Sequence, residues 1–230
     1  MIVFAQFFQI KEVIILGNQK ISTQDINNIL TEKIKLNLIF FETKSIFLVN
    51  LKEMNKKILE KFPDISEAKV ERVLPSTLIA EIKERSPAGI WHQRDEYFYF
   101  DNKAVIFEKT EEKIEPVVIC EVEKPIILGK PIIQKRNLDS ILEINSKAKG
   151  SEIDIREFII SGDEKKLKVN ISEGWYILFN LEEDTKEKLF NLDLVLKEKI
   201  PLERRRELEY IDLRFGNRVF FRYKGEGLTE

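Results

Sequence analysis

Pro87 constrains this chain more than any other residue. It lies in the stretch Glu84-Arg85-Ser86-Pro87-Ala88-Gly89-Ile90-Trp91. Proline cannot donate to a β ladder and biases the residue before it toward extended backbone, so no unbroken helix is expected across this point and a strand leaving one sheet is natural. Upstream the pattern mixes helices with strands, and downstream it becomes mostly strand and turn. Ser86 is therefore expected to mark a short, taut junction between two packed units. The charged pair before it, Glu84 and Arg85, is expected to be a solvated strand end.

At 230 residues the chain can bury one large core or two modest ones, and the break at Pro87 favours two. With 43% hydrophobic and 34% charged residues it is too rich in Ile, Leu, Val and Phe to be disordered. A formal charge of -2 gives no global field for nucleic acid or an anionic membrane. Cys120 is the one cysteine and His92 the one histidine, which excludes an internal disulfide, a cysteine-rich metal site and a paired-His zinc site. A single thiol suits either side of a membrane. The apolar start from Met1 to Phe8 is shorter than the roughly 20 residues a bilayer span takes, and it lacks a basic n-region and a small-residue cleavage site.

Phe8 to Leu16 reads as a first strand and Gly17-Asn18-Gln19-Lys20 as a turn. A helix follows, with Ser22 as N-cap, Asp25 at its positive end and Ile26, Ile29 and Leu30 as its apolar stripe. Leu51, Met54, Ile58 and Phe62 repeat at helical spacing between Asn50 and the stop at Pro63, so a second helix spans Leu51 to Lys61, with Lys52, Lys56, Lys57 and Lys61 facing solvent. Strands are expected from Ile65 to Val73 and from Thr77 to Lys83, around a Leu74-Pro75-Ser76 turn. The order β-α-α-β-β lets two helices pack on one face of a three-stranded sheet.

That order resembles the POTRA domain, and Ile15-Leu16-Gly17-Asn18-Gln19-Lys20-Ile21-Ser22 resembles its opening signature. A more specific series follows: Phe62-Pro63-Asp64 through Val73-Leu74-Pro75-Ser76-Thr77-Leu78, then Glu84-Arg85-Ser86-Pro87-Ala88 and Trp91, shortly before Tyr99-Phe100-Asp101. It is similar to the FtsQ/DivIB family of bacterial cell-division proteins, in which a POTRA domain runs into a β domain. The resemblance covers about Phe8 to Tyr223, loosely in the middle. Thr43 to Asn50 departs from it, being longer than the family usually has between its helices.

Beyond the junction, Gly89 to Gln93, Tyr97 to Phe100 and Ala104 to Phe107 read as strands with polar turns between them. Trp91, Tyr97, Tyr99 and Phe107 would suit a stacking platform for single-stranded nucleic acid, but the stretch is not basic and core packing is the better expectation. His92 reads as a strand residue, since no second catalytic group stands at a spacing that names a mechanism. Short structure is expected from Pro116 to Ile133, then a helix carrying Leu138, Ile141, Leu142 and Ile144. Strands recur at Ile153 to Ile160, Leu167 to Ile171 and Trp175 to Asn180. Asp184-Thr185-Lys186-Glu187 has the form of a capping box ahead of Leu189, Leu192 and Leu196. Arg204-Arg205-Arg206, flanked by Glu203 and Glu207, reads as a self-compensated loop rather than a lipid-phosphate contact. Two alternating runs, Tyr210 to Phe215 and Arg218 to Tyr223, flank Gly216-Asn217 and signal a hairpin. Asp212 and Arg214 are expected to form a local ion pair. The Tyr-Ile-Asp-Leu-Arg-Phe run is similar to a further FtsQ motif.

The expected fold class is α+β: a β-α-α-β-β POTRA domain, then a strand-dominated mixed domain ending in an edge hairpin. The expected division is 1–8 as remnant of a membrane anchor, 9–85 as POTRA domain, 86–226 as β domain and 227–230 as tail. The resemblance implies a non-enzymatic divisome scaffold without cofactor or metal, anchored in the cell membrane by a single helix upstream of Met1 and extracytoplasmic at the septum. It implies partners of the FtsB/FtsL type, small bitopic division proteins bound by β-strand addition, and further divisome proteins bound through the POTRA domain. The implied docking residues are Phe215, Arg218, Val219, Phe220, Phe221, Arg222 and Tyr223. Phe220, Phe221 and Tyr223 would supply apolar anchors, and Arg218 and Arg222 would meet acidic partner residues. One alternative is a POTRA-bearing assembly or translocation component that binds extended client chains. Another is a glycan-acting enzyme using carboxylates among Glu152, Asp154 and Glu157.

Overall fold

A computed structural model describes residues 6–226 apart from 35, 39, 40, 113, 122 and 152, and leaves the side chains of 33, 36–38 and 41–43 undescribed. The chain divides into two compact units, Met1–Ser86 and Pro87–Glu230.

The first unit holds β1 (Glu12–Leu16), α1 (Thr23–Ile34), a small hairpin of β2 (Leu36–Leu38) and β3 (Phe41–Thr43), α2 (Leu51–Lys61), β4 (Ile65–Val73) and β5 (Thr77–Glu84). Its main sheet has the order β1-β5-β4, with β1 parallel and β4 antiparallel to the central β5. Ile26, Leu30, Met54 and Ile58 from the helices bury against Ile65, Val70, Leu78 and Ala80 from the sheet. The first strand is shorter than its sequence suggests. The Ile10 N–H donates to the Lys44 carbonyl and the Ile46 N–H to the Phe8 carbonyl, each at 3.0 Å, so Phe8 to Ile10 pairs with a different segment before β1 begins. The β2–β3 hairpin occupies part of the connection between the two helices, which the helical and strand periodicities left unassigned.

Glu84 is not a solvated strand end. Its carboxylate accepts the backbone N–H groups of Gln19, Lys20 and Ile21 at 2.7 to 3.0 Å, and Asn18 braces the same turn by donating to the Ile21 carbonyl at 2.7 Å. Burial pushes this carboxyl up, but the three N–H donors outweigh it and hold it below the usual carboxylate range. Gly17 opens the turn at φ +85°, where a Cβ would lie 2.2 Å from the Ile82 carbonyl oxygen, so only glycine fits. Arg85 Nε in turn donates to the Pro63 carbonyl at 2.8 Å. The Gly-Asn motif, the Phe-Pro-Asp motif and the Glu-Arg motif are thus one hydrogen-bonded corner of the fold.

The second unit contains β6 (Gly89–Gln93), β7 (Glu96–Phe100), β8 (Val105–Thr110), β9 (Val117–Cys120), β10 (Lys130–Pro131), α3 (Lys135–Gly150), β11 (Ile155–Ile160), β12 (Lys166–Ile171), β13 (Tyr176–Asn180), α4 (Thr185–Glu198), a 3-10 turn over Leu202–Glu207, β14 (Leu208–Phe215) and β15 (Arg218–Tyr223). All ten strands join one sheet in the order β10-β8-β7-β6-β9-β11-β12-β13-β14-β15. The Asp184 carboxylate caps α4 by accepting from the N–H groups of Lys186 at 2.8 Å and Glu187 at 3.0 Å, which is the N-cap half of the capping box. Trp91, Phe100, Phe158, Trp175 and Phe179 are fully buried in the core. Tyr99 and Phe107 bury in a smaller cluster with Ile90, and His92 stacks on Tyr97 with ring centroids 4.3 Å apart. The aromatic residues around Trp91 therefore pack the domain instead of forming an exposed platform.

A candidate protein-docking edge at the last strand

The terminal hairpin turns at Gly216, whose φ of +57° lies in the region glycine adopts freely. Lys188 fixes its tip by donating from Nζ to the Gly216 carbonyl, while Glu183 pairs with the same ammonium at 2.5 Å. Antiparallel pairing of Ile211 with Phe221 and Asp212 with Phe220 then sets β15 alongside β14. No other described strand pairs with β15, so it ends the sheet.

The Lys224 N–H donates to the Glu207 carbonyl at 2.9 Å. Backbone N–H groups alternate sides along a strand, so those of Arg222 and Phe220 also face β14, and those of Val219, Phe221 and Tyr223 face outward. Phe220 is consequently the wrong position at which to remove an outward donor. Proline there would attack the hairpin itself.

Side chains alternate as well, and this corrects the expected set of anchors. Phe221 and Tyr223 are 4% and 5% exposed and belong to the core, and Val219 is half-buried against it. Their backbones can meet a partner, but the rings of Phe221 and Tyr223 are committed inward. Phe220 remains half-exposed on the opposite face, edge-on to Phe215 at 5.5 Å, and Phe215 itself is exposed. Arg218 is exposed beside the turn.

Arg222 is already engaged. Its Nε and Nη2 meet the Glu209 carboxylate at 2.7 and 2.5 Å, and its guanidinium lies 5.1 Å from the centre of the Tyr210 ring. This hydrogen-bonded pairing raises the arginine and lowers Glu209 from their ordinary values. An acidic partner residue would compete with Glu209 for Arg222. Tyr210 stacks on Tyr176 at 5.6 Å, and Lys168 lies 4.2 Å from the Tyr176 ring centre.

Asp212 and Arg214 form the local ion pair, at 2.6 and 2.8 Å. The arginine run is structural. Arg204 lies 3.8 Å from the Tyr223 ring centre and pairs with Glu207 and Glu226, each at 2.9 Å, while Arg205 is buried beside Glu173. Arg204 thus holds the end of β15, a role with no signal in its own neighbourhood of sequence beyond the flanking acids.

Glu152 lies outside the described residues. The Glu157 carboxylate accepts from Asn170 at 2.7 Å and Arg156 at 2.9 Å, and these bonds outweigh the upward push of burial to keep it ionised below the usual range. Asp154 is exposed. Among the described residues no group of three or more His, Cys, Asp or Glu stands close enough to hold a metal ion.

A β-α-α-β-β unit followed by a strand-dominated unit whose sheet ends at β15 defines a POTRA-bearing protein with a β domain, and comparison with known proteins agrees. Residues 8–85 match the family model of the POTRA domain, FtsQ-type. The chain is 28% identical over 204 residues to the cell division protein DivIB of Clostridium tetani, covering 77% of this chain and 72% of that protein. It is 32% identical over 109 residues to the cell division protein FtsQ of Rickettsia bellii, covering 47% of this chain and 36% of that protein. The FtsQ of Zymomonas mobilis is 27% identical over 124 residues, 54% of this chain and 34% of that protein. Residues 8–85 are thus a POTRA domain of the FtsQ type, and the matched relatives support the FtsQ/DivIB family of cell-division proteins.

Proposed function

We propose that this chain is a non-enzymatic scaffold of the divisome that binds small bitopic division proteins of the FtsB/FtsL type, and that β15 is the strand to which they pair. The observation that carries this is the free outer side of β15, with the N–H groups of Val219, Phe221 and Tyr223 directed away from β14. Extended partners use such edges by β-augmentation, where ladder bonds supply affinity and alternate side chains supply selectivity. Phe215 and Phe220 offer the apolar side-chain contact, Arg218 a charged one, and Arg222 a second one that the partner must share with Glu209. The POTRA unit would receive other divisome proteins, and the whole would act outside the cytoplasm at the septum, tethered to the cell membrane. No helix among the described residues is long and apolar enough to cross a membrane. We further propose that residues 9–85 and 86–226 fold separately, which expressing each alone would test.

The glycan-hydrolase alternative draws no support from Glu157, whose carboxylate is held ionised when a general acid needs a raised pKa. To test the docking strand, binding of a purified FtsB/FtsL-like extracytoplasmic segment is measured against Val219→Pro and Arg222→Glu. Val219→Pro removes an outward donor and is expected to abolish binding. Arg222→Glu sets two carboxylates against each other at Glu209 and is expected to weaken it. Full binding by both variants, with thermal unfolding unchanged, would rule out β15.

A further inference from the structure

The POTRA unit carries an apolar surface that its fold does not use. Phe7, Phe47 and Leu48 are 54%, 56% and 53% exposed. Phe8 gathers the two other rings, edge-on to Phe7 at 5.3 Å and tilted against Phe47 at 5.0 Å. The two segments that supply these residues, Phe7 to Ile10 and Ser45 to Leu51, contain no charged residue, in a chain that is 34% charged. Folding accounts for only part of this, since Phe8 and Leu51 pack against the core while Phe7, Phe47 and Leu48 do not. Ile10, Ile46 and Val49 bury, and polar residues at 7, 47 and 48 would leave that core untouched. Contiguous exposed apolar surface of this kind marks a contact with something outside the chain.

The shape and the margin indicate what that contact is. Phe47 and Leu48 are neighbours on one turn, both more than half exposed, so they stand out from the surface and do not line a groove. Lys11 and Lys44, both exposed, border the patch: Lys44 follows from the hydrogen bonds that join its backbone to Gln9 and Ile10, and Lys11 continues directly from Ile10. Protruding phenylalanine and leucine with lysines beside them match the boundary between headgroups and acyl chains in an anionic bilayer. There the apolar tips leave water while the ammonium groups meet lipid phosphates. A protein groove would need the opposite shape from this chain only in its partner, but it gives no role to the basic margin.

We propose that Phe7, Phe47 and Leu48, gathered around the half-buried Phe8, form a lipid-contacting surface that seats the POTRA unit on an anionic membrane. It rests on the first unit alone and holds whether or not β15 binds a partner. The test is flotation of the 230-residue chain with vesicles of phosphatidylcholine containing phosphatidylglycerol, and with vesicles of phosphatidylcholine alone. Binding is expected to both and to be stronger on the anionic vesicles. The double variant Phe47→Gln with Leu48→Gln should lower partitioning about tenfold or more, and Leu48→Gln alone should lower it less, with thermal unfolding unchanged because both side chains are exposed. Lys11→Glu with Lys44→Glu should remove the preference for anionic vesicles. Absence of binding to either vesicle, or equal binding by the double glutamine variant, overturns the proposal. So does a dimer in sedimentation that this variant dissociates while vesicle binding is missing throughout, which would make the patch a contact between two copies.

Discussion

At its β4 edge the POTRA sheet has an outward N–H occupied by a side chain of its own unit, whereas the ten-stranded sheet ends at β15 with its outward backbone groups facing no described strand. On β4 the Val70 N–H, which would otherwise be offered to a neighbouring strand, donates to Asn55 Oδ1 of α2 at 2.9 Å. Arg72 reaches from the same strand to the carbonyls of Ile46 and Val49, at 2.6 and 2.5 Å. Both edges face the same hazard, since unpaired strand backbone recruits other chains. One is capped at Val70 from within its own unit. Among the described residues the other is bordered by charges, Arg218 and the Arg222–Glu209 pair, which discourage indiscriminate pairing. Binding through the POTRA edge, as an assembly or translocation component would use it, would first have to displace Asn55.

The strongest way to break this contrast is Arg72→Ala, which strands two partly buried carbonyls and is expected to cost about 3 kcal/mol of unfolding free energy. Urea denaturation followed by circular dichroism measures it, and a loss near zero would mean that the Arg72 bonds are incidental. Val219→Pro, at the other edge, is expected to lower partner affinity by about 2 kcal/mol or more with little change in stability, because proline is tolerated on an edge strand whose N–H faces out. Isothermal titration calorimetry separates that from a folding defect.

Acid sharpens the comparison from another side. Glu84 has a folded-state pKa below its unfolded value, so its contribution is present above the unfolded carboxylate range near pH 4 and is lost as the pH falls through the lower, folded value. Glu84→Gln is therefore expected to cost the POTRA unit about 1 to 2 kcal/mol at neutral pH and to flatten its stability below pH 4. A variant that keeps the full acid dependence of the wild type would place the responsible carboxylate elsewhere. Smallest of the four, Asn55→Ala should cost about 1 kcal/mol by leaving the Val70 N–H without its acceptor. Concentration-dependent self-association of this variant, absent in the wild type, would show that Asn55 is what keeps β4 from pairing at Val70.

Much of the fold was legible because its signals are local. Gly216-Asn217 between two alternating runs specified the terminal hairpin, Asp184 with Glu187 specified the start of α4, and the spacing of Leu51, Met54 and Ile58 specified α2. The motif residues of the FtsQ/DivIB resemblance were legible as a list, though not as a device: Glu84 lies more than sixty residues from the three N–H groups it binds. The two faces of β15 were only half legible. Alternation told that Phe220 and Phe221 point to opposite faces, but not which face the helices would cover.

The sequence by itself determined the β-α-α-β-β order, the break at Pro87 and the capping and turn residues, because each depends on a few neighbouring side chains acting on their own backbone. Only the tertiary structure decided that Val70 on β4 is capped while β15 faces no described strand, that Phe221 and Tyr223 are core and Phe220 is not, and that Arg204 braces the last strand. Those outcomes depend on which strand lies beside which and on which face of a sheet is packed. They are settled by contacts between residues far apart in the chain, where no local periodicity reaches.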